Sequence, residues 1–396
     1  MLDFHEAQRR VVAAAQRLGT ETLPVGATAG RVLAEPLRGA TPLPAFDYSA
    51  MDGYAVRCAD FAESGPWESQ VAGESRAGCA PGTLVPGTCI RIFTGAPIPA
   101  GADAIVIQED TDREGLLARF RVKPKINAHI RRAGEDLASG AIALDAGTRL
   151  SAFHLGLIAA LDRGRVEVSQ APRVIVAPTG DELREPGSAS RPGSIPESNG
   201  VAIAALAERA GAKVQRVDVL RDDRAETTER LKNLLMQCDV LITIGGVSVG
   251  DHDVVRDALQ AAGATLEFWK IAIRPGKPFT FGRAGSTLIL GLPGNPVSAQ
   301  VTFSLLGIPL LRAMQGDRQA LPPTLRVKLT EAWTQKPGRM GIHRARLDGD
   351  RATLERGGSS GSVLSMARAD ALVFVPAEVE HCPAGTELDA VDLRQL

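Results

Sequence analysis

Paired cysteines, clustered basic residues and long apolar runs are all lacking in this chain, and each absence argues against a class of protein. The five cysteines are scattered and form no C-x-x-C pair, which favours reduced thiols over a disulfide framework or a thiolate metal site. Lys and Arg form no runs and the formal net charge is −1, so composition supports neither a nucleic-acid groove nor a membrane patch. No apolar stretch approaches the length of a membrane span, and the first ten residues contain no apolar signal core. We therefore expect a cytoplasmic protein.

Length and apolar content indicate several packed domains. With 396 residues the chain is too long for one ordinary core, so two to four domains are expected, and a hydrophobic content of 44% suits a globular protein. The 41 glycines and 25 prolines stand at turns and not in low-complexity tracts.

A short apolar run followed by glycines, D-V-L-I-T-I-G-G-V-S-V-G-D, is the stretch around which the chain is organised. Val240–Ile244 suits a strand buried on both faces of a parallel sheet, and a helix is predicted over 252–261. Strand, glycine turn and helix together place backbone donors and a positive helix end before an anion. Asp251 is either a carboxylate ligand or an ordinary N-cap of that helix, and the stretch alone favours neither. The turn offers Gly245, Gly246, Ser248 and Gly250.

Strands and helices alternate over residues 172–313. This order predicts a parallel sheet covered on both faces, with ligands at the carboxyl ends of its strands. The candidate strands are Arg173–Ala177, Lys213–Val219, Asp239–Ile244 and Thr287–Leu290, and the candidate helices are Gly200–Ala210, Arg224–Met236, His252–Ala261 and Val297–Leu311.

Polar residues follow each of these strands and should gather at one edge of the sheet. Glycine turns and two cations suit phosphate or another oxyanion. Several carboxylates at one edge would repel each other without a counterion, which implies a divalent cation such as Mg²⁺. The alternatives are that the acidic residues after the second strand only cap a helix and that the two cations are solvated. The residues in question are Asp181, Glu182, Asp222, Asp223, Asp251, Arg274, Lys277, Pro293, Gly294, Asn295 and Ser298.

The regions on either side of residues 172–313 show different sequence patterns. Helices are predicted over 3–18 and 151–162, and short β-rich runs punctuated by proline fill 36–138 and 316–396. Asp52, Thr94 and Asp136 each stand beside a glycine turn, where turn chemistry is the simpler interpretation. The predicted domains are a helical one (1–41 and 139–171), an inserted β-rich one (42–138), an α/β one (172–315) and a C-terminal β one (316–396).

Nine motifs in order resemble one family. They run over nearly the whole chain, which makes the resemblance far more specific than any single motif would be. They are F-D-Y-S-A-M-D-G-Y-A-V, R-I-F-T-G-A-P-I-P-A-G-A-D-A-I-V, R-A-G-E-D, T-G-D-E-L, S-N-G, G-G-V-S-V-G-D, R-P-G-K-P-F, L-P-G-N-P-V-S-A and S-M-A-R-A-D-A-L. The chain thus resembles the molybdopterin molybdenumtransferases, the MoeA and gephyrin E-domain family.

The resemblance implies a multidomain α/β protein: a three-layer α/β molybdopterin-binding domain, a helical domain, an inserted β domain and a C-terminal β-barrel-like domain. It implies a homodimer, with its cleft between the α/β domain of one subunit and the inserted domain of the other. Adenylylated molybdopterin and molybdate would react there in the presence of Mg²⁺, releasing AMP. Other cofactor-biosynthesis proteins and recipient apoenzymes are implied partners; nucleic acid and membrane are not.

The resemblance also implies roles for individual residues. Arg274, Lys277 and Ser298 would hold molybdate, Glu182 and Asp251 would hold Mg²⁺, and Arg339 and Ser365 would assist. Arg274 stands where the family often has Lys, which keeps the charge but not its geometry. The remaining residues implied in activity or substrate binding are Asp52, Thr94, Asp136, Asp222, Gly245, Gly246, Ser248, Gly250, Pro293, Asn295 and Pro296.

Three other functions compete with this one. A molybdopterin adenylyltransferase or nucleotide pyrophosphatase could use the same α/β domain but would need neither β domain. A non-catalytic scaffold would not need the charged loops. A dinucleotide dehydrogenase is disfavoured because no G-x-G-x-x-G follows a strand.

Overall fold

The fold is known from a computed structural model that describes residues 1–217, 219–246, 254–357 and 359–396. The chain divides into two compact units. The larger unit comprises residues 1–35, 147–155 and 165–396, and the smaller unit comprises residues 36–146 and 156–164.

The first part of the chain holds two helices and twelve short strands. In chain order they are α1 (Phe4–Ala13), β1 (Thr20–Pro24), β2 (Leu37–Arg38), β3 (Tyr48–Ser49), β4 (Gly53–Val56), β5 (Trp67–Ser75), β6 (Thr88–Ile92), β7 (Ala104–Ile107), β8 (Thr111–Glu114), β9 (Leu117–Phe120), β10 (Ile130–Arg131), β11 (Ile142–Leu144), α2 (Ala152–Ala160) and β12 (Arg165–Ser169). Strand β1 pairs antiparallel with β12 in the larger unit.

The N-terminal helix begins where the sequence predicts but ends early. The Asp3 carboxylate accepts hydrogen bonds from the backbone N–H groups of His5 and Glu6, which caps the helix. The prediction that the helix reaches residue 18 was wrong, because α1 ends at Ala13. Leu18 still packs against the larger unit's core, so an apolar spacing that continues past the helix misled the prediction.

A six-stranded sheet forms the smaller unit, in the order β7-β4-β6-β5-β9-β8. Its strands are short, and their buried positions supply the core. Phe61 and Phe120 pack there with their ring centroids 5.3 Å apart, beside Tyr54 and Val71. This rigid sheet carries the turns that hold Asp52 and Thr94.

The central part of the chain alternates strands and helices as predicted. Its elements are β13 (Arg173–Pro178), β14 (Leu183–Arg184), β15 (Ile195–Pro196), α3 (Asn199–Arg209), β16 (Lys213–Arg216), α4 (Arg224–Leu235), β17 (Val240–Ile244), α5 (Val254–Ala261), β18 (Thr265–Lys270), β19 (Ile273–Arg274), β20 (Pro278–Ala284), β21 (Thr287–Leu292), α6 (Pro296–Thr302), a π-helical segment (Phe303–Gly307) and α7 (Ile308–Met314).

The central sheet is mixed, where the sequence predicted a parallel one. Its order is β16-β13-β17-β21-β20-β18; the first four strands are parallel, and β20 and β18 run antiparallel to their neighbours. Only Gly285 and Ser286 join β20 to β21, and two residues suffice for a hairpin but not for a parallel crossover. Strand β20 was missed because no helical segment sets it apart from β21.

The buried centre of the sheet follows from composition. Every residue of β17 and of β21 is buried, as expected of apolar strands covered on both faces. Helices α6 and α7 join through the π segment into one helix, Pro296–Met314. By length and composition it is the one helix of the described chain that could cross a membrane, but 89% of it is buried inside the protein, as in a core helix.

The C-terminal part closes into a small barrel. It contains β22 (Thr324–Leu329), β23 (Trp333–Thr334), β24 (Met340–Asp348), β25 (Arg351–Leu354), α8 (Val363–Ala367), β26 (Ala371–Val375), β27 (His381–Cys382) and β28 (Glu387–Asp392). The strand order β24-β25-β22-β28-β26 is closed by pairing of β26 with β24, and β19 adds to β24 in parallel. The expected multidomain α/β architecture with a C-terminal barrel is thus confirmed.

Candidate active site

A cavity of about 880 Å³, here called the main cavity, opens in the larger unit where the central strands end. The loops after β13, β17 and β21 all reach it, which is the usual location of ligands in open α/β sheets. Many residues that the sequence singled out line it: Glu182, Asp222, Gly245, Gly246, Pro293, Gly294, Asn295 and Pro296. Ser248, Gly250 and Asp251 lie outside the described residues.

The turn after β17 requires both of its glycines. Gly245 and Gly246 have φ angles of +91° and +61°, which side chains rarely tolerate. A Cβ atom on Gly245 would lie 2.7 Å from the carbonyl oxygen of Thr179, and one on Gly246 would lie 2.4 Å from Val255 Cγ2. The turn therefore presents bare backbone to the cavity, close to the neighbouring loop.

The two adjacent aspartates after β16 have different surroundings. Asp223 is the N-cap of α4, because its carboxylate accepts a hydrogen bond from the Glu226 N–H at 2.8 Å. Asp222 lines the main cavity, and its carboxylate accepts only a long contact, 3.4 Å, from the Asp181 N–H. Capping thus accounts for Asp223, and Asp222 is the carboxylate available to a ligand.

A buried carboxylate that pairs with an exposed arginine stabilises one wall of the cavity. Glu197 is 1% exposed, accepts a hydrogen bond from the Gly200 N–H at 2.5 Å, and pairs with Arg216 at 2.9 Å. Because its charge is matched by Arg216, the acid fixes the start of α3 next to the cavity. No sequence pattern points to this residue, since its burial and its partner arise only in the fold.

The sequence analysis missed two further cavity residues. What marks each of them is a buried polar atom without a hydrogen-bond partner, which only the folded structure shows. Asn199 donates from Nδ2 to the Gly294 carbonyl at 2.7 Å, which leaves its buried Oδ1 without a partner. The buried Thr179 hydroxyl likewise has none. Unpaired buried polar atoms cost free energy, so their place at a cavity wall points to a ligand. The S-N-G motif was the available signal for Asn199.

The carboxylates of the cavity suit Mg²⁺, although the described residues contain no cluster of three potential metal-binding side chains. Glu182 and Asp222 both line the main cavity. Mg²⁺ usually takes one or two carboxylates and completes its shell with water and substrate phosphate, so a three-residue cluster is unnecessary. The donor set therefore fits this ion.

Arg274 lines a second cavity, of about 470 Å³, at the edge of the barrel. This barrel-edge cavity is also lined by Lys336, His343, Arg344 and Ser360. Of the three residues proposed to hold molybdate, Arg274 alone is among the described lining residues of these cavities. Lys277 is exposed and Ser298 is buried in α6, and the described linings of both cavities omit them. The same linings omit Arg339 and Ser365, and the Ser365 hydroxyl donates locally to the Ser362 carbonyl.

His343 is held neutral in the barrel-edge cavity. Burial lowers its pKa to about 4, with a further contribution from the Arg344 and Arg274 charges. Its Nε2 lies 3.0 Å from the Gln335 Oε1. Because an amide oxygen only accepts, Nε2 carries the proton and Nδ1 is left as an acceptor.

The predicted residues of the smaller unit form two local groups. The Asp52 carboxylate accepts hydrogen bonds at 2.8 Å from both the backbone N–H and the hydroxyl of Thr94, and these bonds lower the pKa of Asp52. Asp52 is therefore ionised and aimed at Thr94. Asp136 instead contacts Arg131 at 3.3 Å.

Three family models together match most of the chain. They are the MoeA N-terminal region (domains I and II) over residues 2–161, a probable molybdopterin binding domain over 175–313, and the MoeA C-terminal region (domain IV) over 326–393. Their order along the chain is that of the nine sequence motifs.

Whole-chain relatives and solved structures agree with these models. Molybdopterin molybdenumtransferase 2 of Mycobacterium tuberculosis is 38% identical over 99% of this chain and 100% of its own length. The molybdopterin molybdenumtransferase of Haemophilus influenzae is 40% identical over 82% of this chain and 80% of its own. A molybdopterin biosynthesis MoeA protein of Pyrococcus horikoshii superposes with a TM-score of 0.86 at 27% identity, covering 99% of this chain and 100% of that one. The chain therefore belongs to the molybdopterin molybdenumtransferase family.

Proposed function

We propose that this protein inserts molybdenum from molybdate into adenylylated molybdopterin and releases AMP. The observation that carries the proposal is the main cavity, which combines a bare glycine turn, the Glu182 and Asp222 carboxylates and unpaired polar atoms at one sheet edge. End-to-end similarity to proteins named molybdopterin molybdenumtransferase supports it.

The pterin end of the substrate would use the unpaired atoms of the cavity wall. A pterin ring carries N–H donors and a carbonyl acceptor along one edge. Asn199 Oδ1 can accept from such a donor, and the Thr179 hydroxyl can bond either group. Binding would thus satisfy atoms that are otherwise buried without a partner.

The pyrophosphate would lie along the glycine turn. Gly245 and Gly246 have no side chains, so the substrate backbone can approach closely. The Gly245 N–H already donates to the Leu292 carbonyl at 3.0 Å, so it is not a free donor for phosphate. Glu182 and Asp222 would hold Mg²⁺, with Asp251 as a further candidate; bound Mg²⁺ supplies charge neutralisation for the pyrophosphate.

Molybdate would enter from the barrel-edge cavity. Arg274 lies there together with Arg344 and Lys336, and guanidinium groups suit a tetrahedral dianion. The chain segments 274–278 and 360–363 contribute residues to both cavities, which supports placing the two substrates side by side.

The adenylyl transfer itself is a displacement at phosphorus. An oxygen of water or of molybdate forms a bond to the adenylyl phosphorus, and the bond from that phosphorus to the bridging oxygen breaks. Molybdopterin keeps its own phosphate. If water attacks, it loses a proton and AMP forms directly; if a molybdate oxygen attacks, the Mo–O bond to that oxygen breaks as the dithiolene sulfurs bind molybdenum, and AMP carries the oxygen away. The cavity residues bind and orient both groups for in-line attack.

The assembly is proposed to be a homodimer in the cytoplasm that exchanges its cofactor with other biosynthetic proteins and recipient apoenzymes. The Asp52–Thr94 pair, which is positioned by hydrogen bonds and lies at the surface of the smaller unit, would supply the second half of each active site. Dimers built from one chain generally place the same residues in two equivalent sites.

The test is AMP release from adenylylated molybdopterin, measured with and without molybdate. Molybdate should accelerate release, and molybdenum should appear on the pterin. Release that ignores molybdate would indicate a pyrophosphatase, and formation of adenylylated pterin from ATP would indicate an adenylyltransferase. Pterin binding without AMP release would indicate a non-catalytic scaffold.

The contribution of Asp251 is separable from helix capping. Asn caps a helix as well as Asp does, so Asp251→Asn removes only the charge. If Asp251 binds Mg²⁺, the variant should keep its melting temperature but need more Mg²⁺ for AMP release. If Asp251→Asn needs no more Mg²⁺ than the wild type, Asp251 serves only as a helix cap. Glu182 and Asp222 would then be the metal-binding pair.

A further inference from the structure

A third cavity, of about 590 Å³, carries an excess of positive charge that the proposed reaction does not use. It lies in the larger unit and is lined by Arg149, Arg312, Arg318, His154 and Asp317, among others. We propose that this arginine cavity is a binding site for a phosphate-class oxyanion, either the free ion or a small phosphate ester.

Arg312 is the first observation. It lies in the last turn of α7, is 8% exposed and lines the cavity. Its Nε is buried and has no hydrogen-bond partner. Burial lowers the pKa of Arg312, and the nearby Arg149 charge lowers it further. Asp317 opposes this lowering only in part and already pairs with Arg149, so an added anion would stabilise the Arg312 guanidinium.

Arg149 provides the second, independent unpaired donor. Its Nε pairs with Asp317 at 2.8 Å and its Nη1 donates to the Gly30 carbonyl at 2.6 Å. The remaining Nη2 is buried without a partner. Two neighbouring arginines that line one cavity thus each keep an unused donor, a combination suited to an oxyanion.

The single acidic side chain of the described lining, Asp317, already has hydrogen-bond partners on both carboxylate oxygens. The Asp317 carboxylate is 5% exposed and receives Arg149 through one oxygen and the Gln319 N–H, at 2.9 Å, through the other. Asp317 is therefore the partner of Arg149, and the described lining has no second acidic side chain for Arg312. Electrostatics favour an anion in this cavity.

The cavity walls are fixed by close tertiary contacts. Gly147 has a φ of +81°, and a Cβ atom there would lie 2.6 Å from Arg318 Cγ and 2.8 Å from the Gly316 carbonyl oxygen. The Arg318 N–H donates to the Gly147 carbonyl at 3.0 Å. The chain around residue 147 is thus pressed against the end of α7, which holds the arginines in place.

Size and position set this site apart from the proposed active site. Its volume exceeds that of one phosphate and leaves room for a small ester. It shares no described lining residue with the other two cavities. Pro296 borders the main cavity and Arg312 borders this one, and at 1.5 Å per residue the helix between them spans roughly 24 Å.

The experiment is calorimetric titration and thermal melting with inorganic phosphate and with glycerol 3-phosphate, at constant ionic strength with chloride as reference. Phosphate should raise the melting temperature of the wild type. Arg312→Gln should weaken phosphate binding about ten- to a hundred-fold, the loss expected for a charged hydrogen bond. Tighter binding of the ester would identify a phosphate ester as the natural ligand, and tighter binding of phosphate the free ion.

Two control variants keep the result specific. Arg326→Gln removes an exposed cation from the barrel and should bind phosphate as the wild type does. Arg274→Gln removes a cation from the barrel-edge cavity and should keep the phosphate response that Arg312→Gln loses. If Arg312→Gln does not fold, Arg318→Gln, at an exposed residue of the same lining, replaces it. No phosphate-specific stabilisation, or a response lost in Arg274→Gln and kept in Arg312→Gln, would overturn the proposal.

Discussion

The neighbouring Asp222 and Asp223 show how one charge can stabilise a helix while the next serves a cavity. Asp223→Ala removes an N-cap and should lower the free energy of unfolding by about 1 kcal/mol with little change in AMP release. Asp222→Asn should leave stability nearly unchanged and reduce AMP release strongly, because it removes a cavity carboxylate. Chemical denaturation and the AMP assay on both variants check this. Equal effects of the two changes on activity would contradict the division of roles.

Unpaired hydroxyl groups give a second contrast at the residue scale. Thr179→Val removes a buried hydroxyl without a partner, so the ligand-free protein should gain stability, by up to about 1 kcal/mol. The same change should weaken pterin binding if the ligand bonds that hydroxyl.

The matched control is Thr243→Val in strand β17. Thr243 is 0% exposed and its hydroxyl also lacks a partner, but it is not among the cavity's described lining residues. This variant should be stabilised with pterin affinity intact. Melting curves and pterin titrations of the two variants make the comparison. Equal affinity in both would remove Thr179 from the binding site.

At the scale of elements, the sequence predicted best where local pattern decides the structure. Buried strands such as β17 follow from apolar runs, and Asp3 marks the start of α1. Strand β20 was missed because its antiparallel direction depends on a two-residue turn and not on its own composition. Glu197 could not be recognised, because its burial and its pairing with Arg216 are properties of the folded chain, and for Asn199 the S-N-G motif was the available signal. The grouping of Arg274 with Ser298 came from the family resemblance and stays a prediction; of the two, only Arg274 is a described lining residue of the barrel-edge cavity.

Strand β24 carries a titratable element of the barrel edge. The pKa of His343 falls from 6.5 to about 4 on folding, so between these values the unfolded chain binds more protons than the folded one. His343 should therefore contribute stability that is fully present above pH 6.5 and is lost as the pH falls toward 4.

The variant His343→Gln isolates this effect. Glutamine does not titrate. The free energy of unfolding of the variant should therefore fall less than that of the wild type between pH 6.5 and 4. Carboxylates titrate in both proteins, and their contribution cancels in the difference. Parallel pH dependence of the two proteins in denaturant unfolding would show that His343 is not held neutral.

At the scale of the whole molecule, the proposed dimer can be tested by complementation. Asp52→Ala and Glu182→Ala should each be inactive alone. If each active site takes these residues from different subunits, random mixing gives half mixed dimers with one intact site of two, and activity should recover to about a quarter of wild type.

Co-expression of the two variants followed by the AMP assay supplies the measurement. The control is a mixture of Glu182→Ala with Asp222→Asn, both from the main cavity, which should stay inactive. A chain that sediments as a monomer with full activity, or a mixture that recovers nothing, would count against shared sites.

The most direct test of the account is to locate the molybdate site, because the account places molybdate in the barrel-edge cavity, beside the pterin substrate. Crystals soaked with tungstate, an isosteric anion with strong anomalous scattering, should show a peak in the barrel-edge cavity within contact distance of Arg274, and Arg274→Gln should abolish it. The account also predicts that AMP occupies the main cavity in the same crystal. Absence of tungstate from the barrel-edge cavity, or its retention there in Arg274→Gln, would contradict the proposed arrangement of the two substrates.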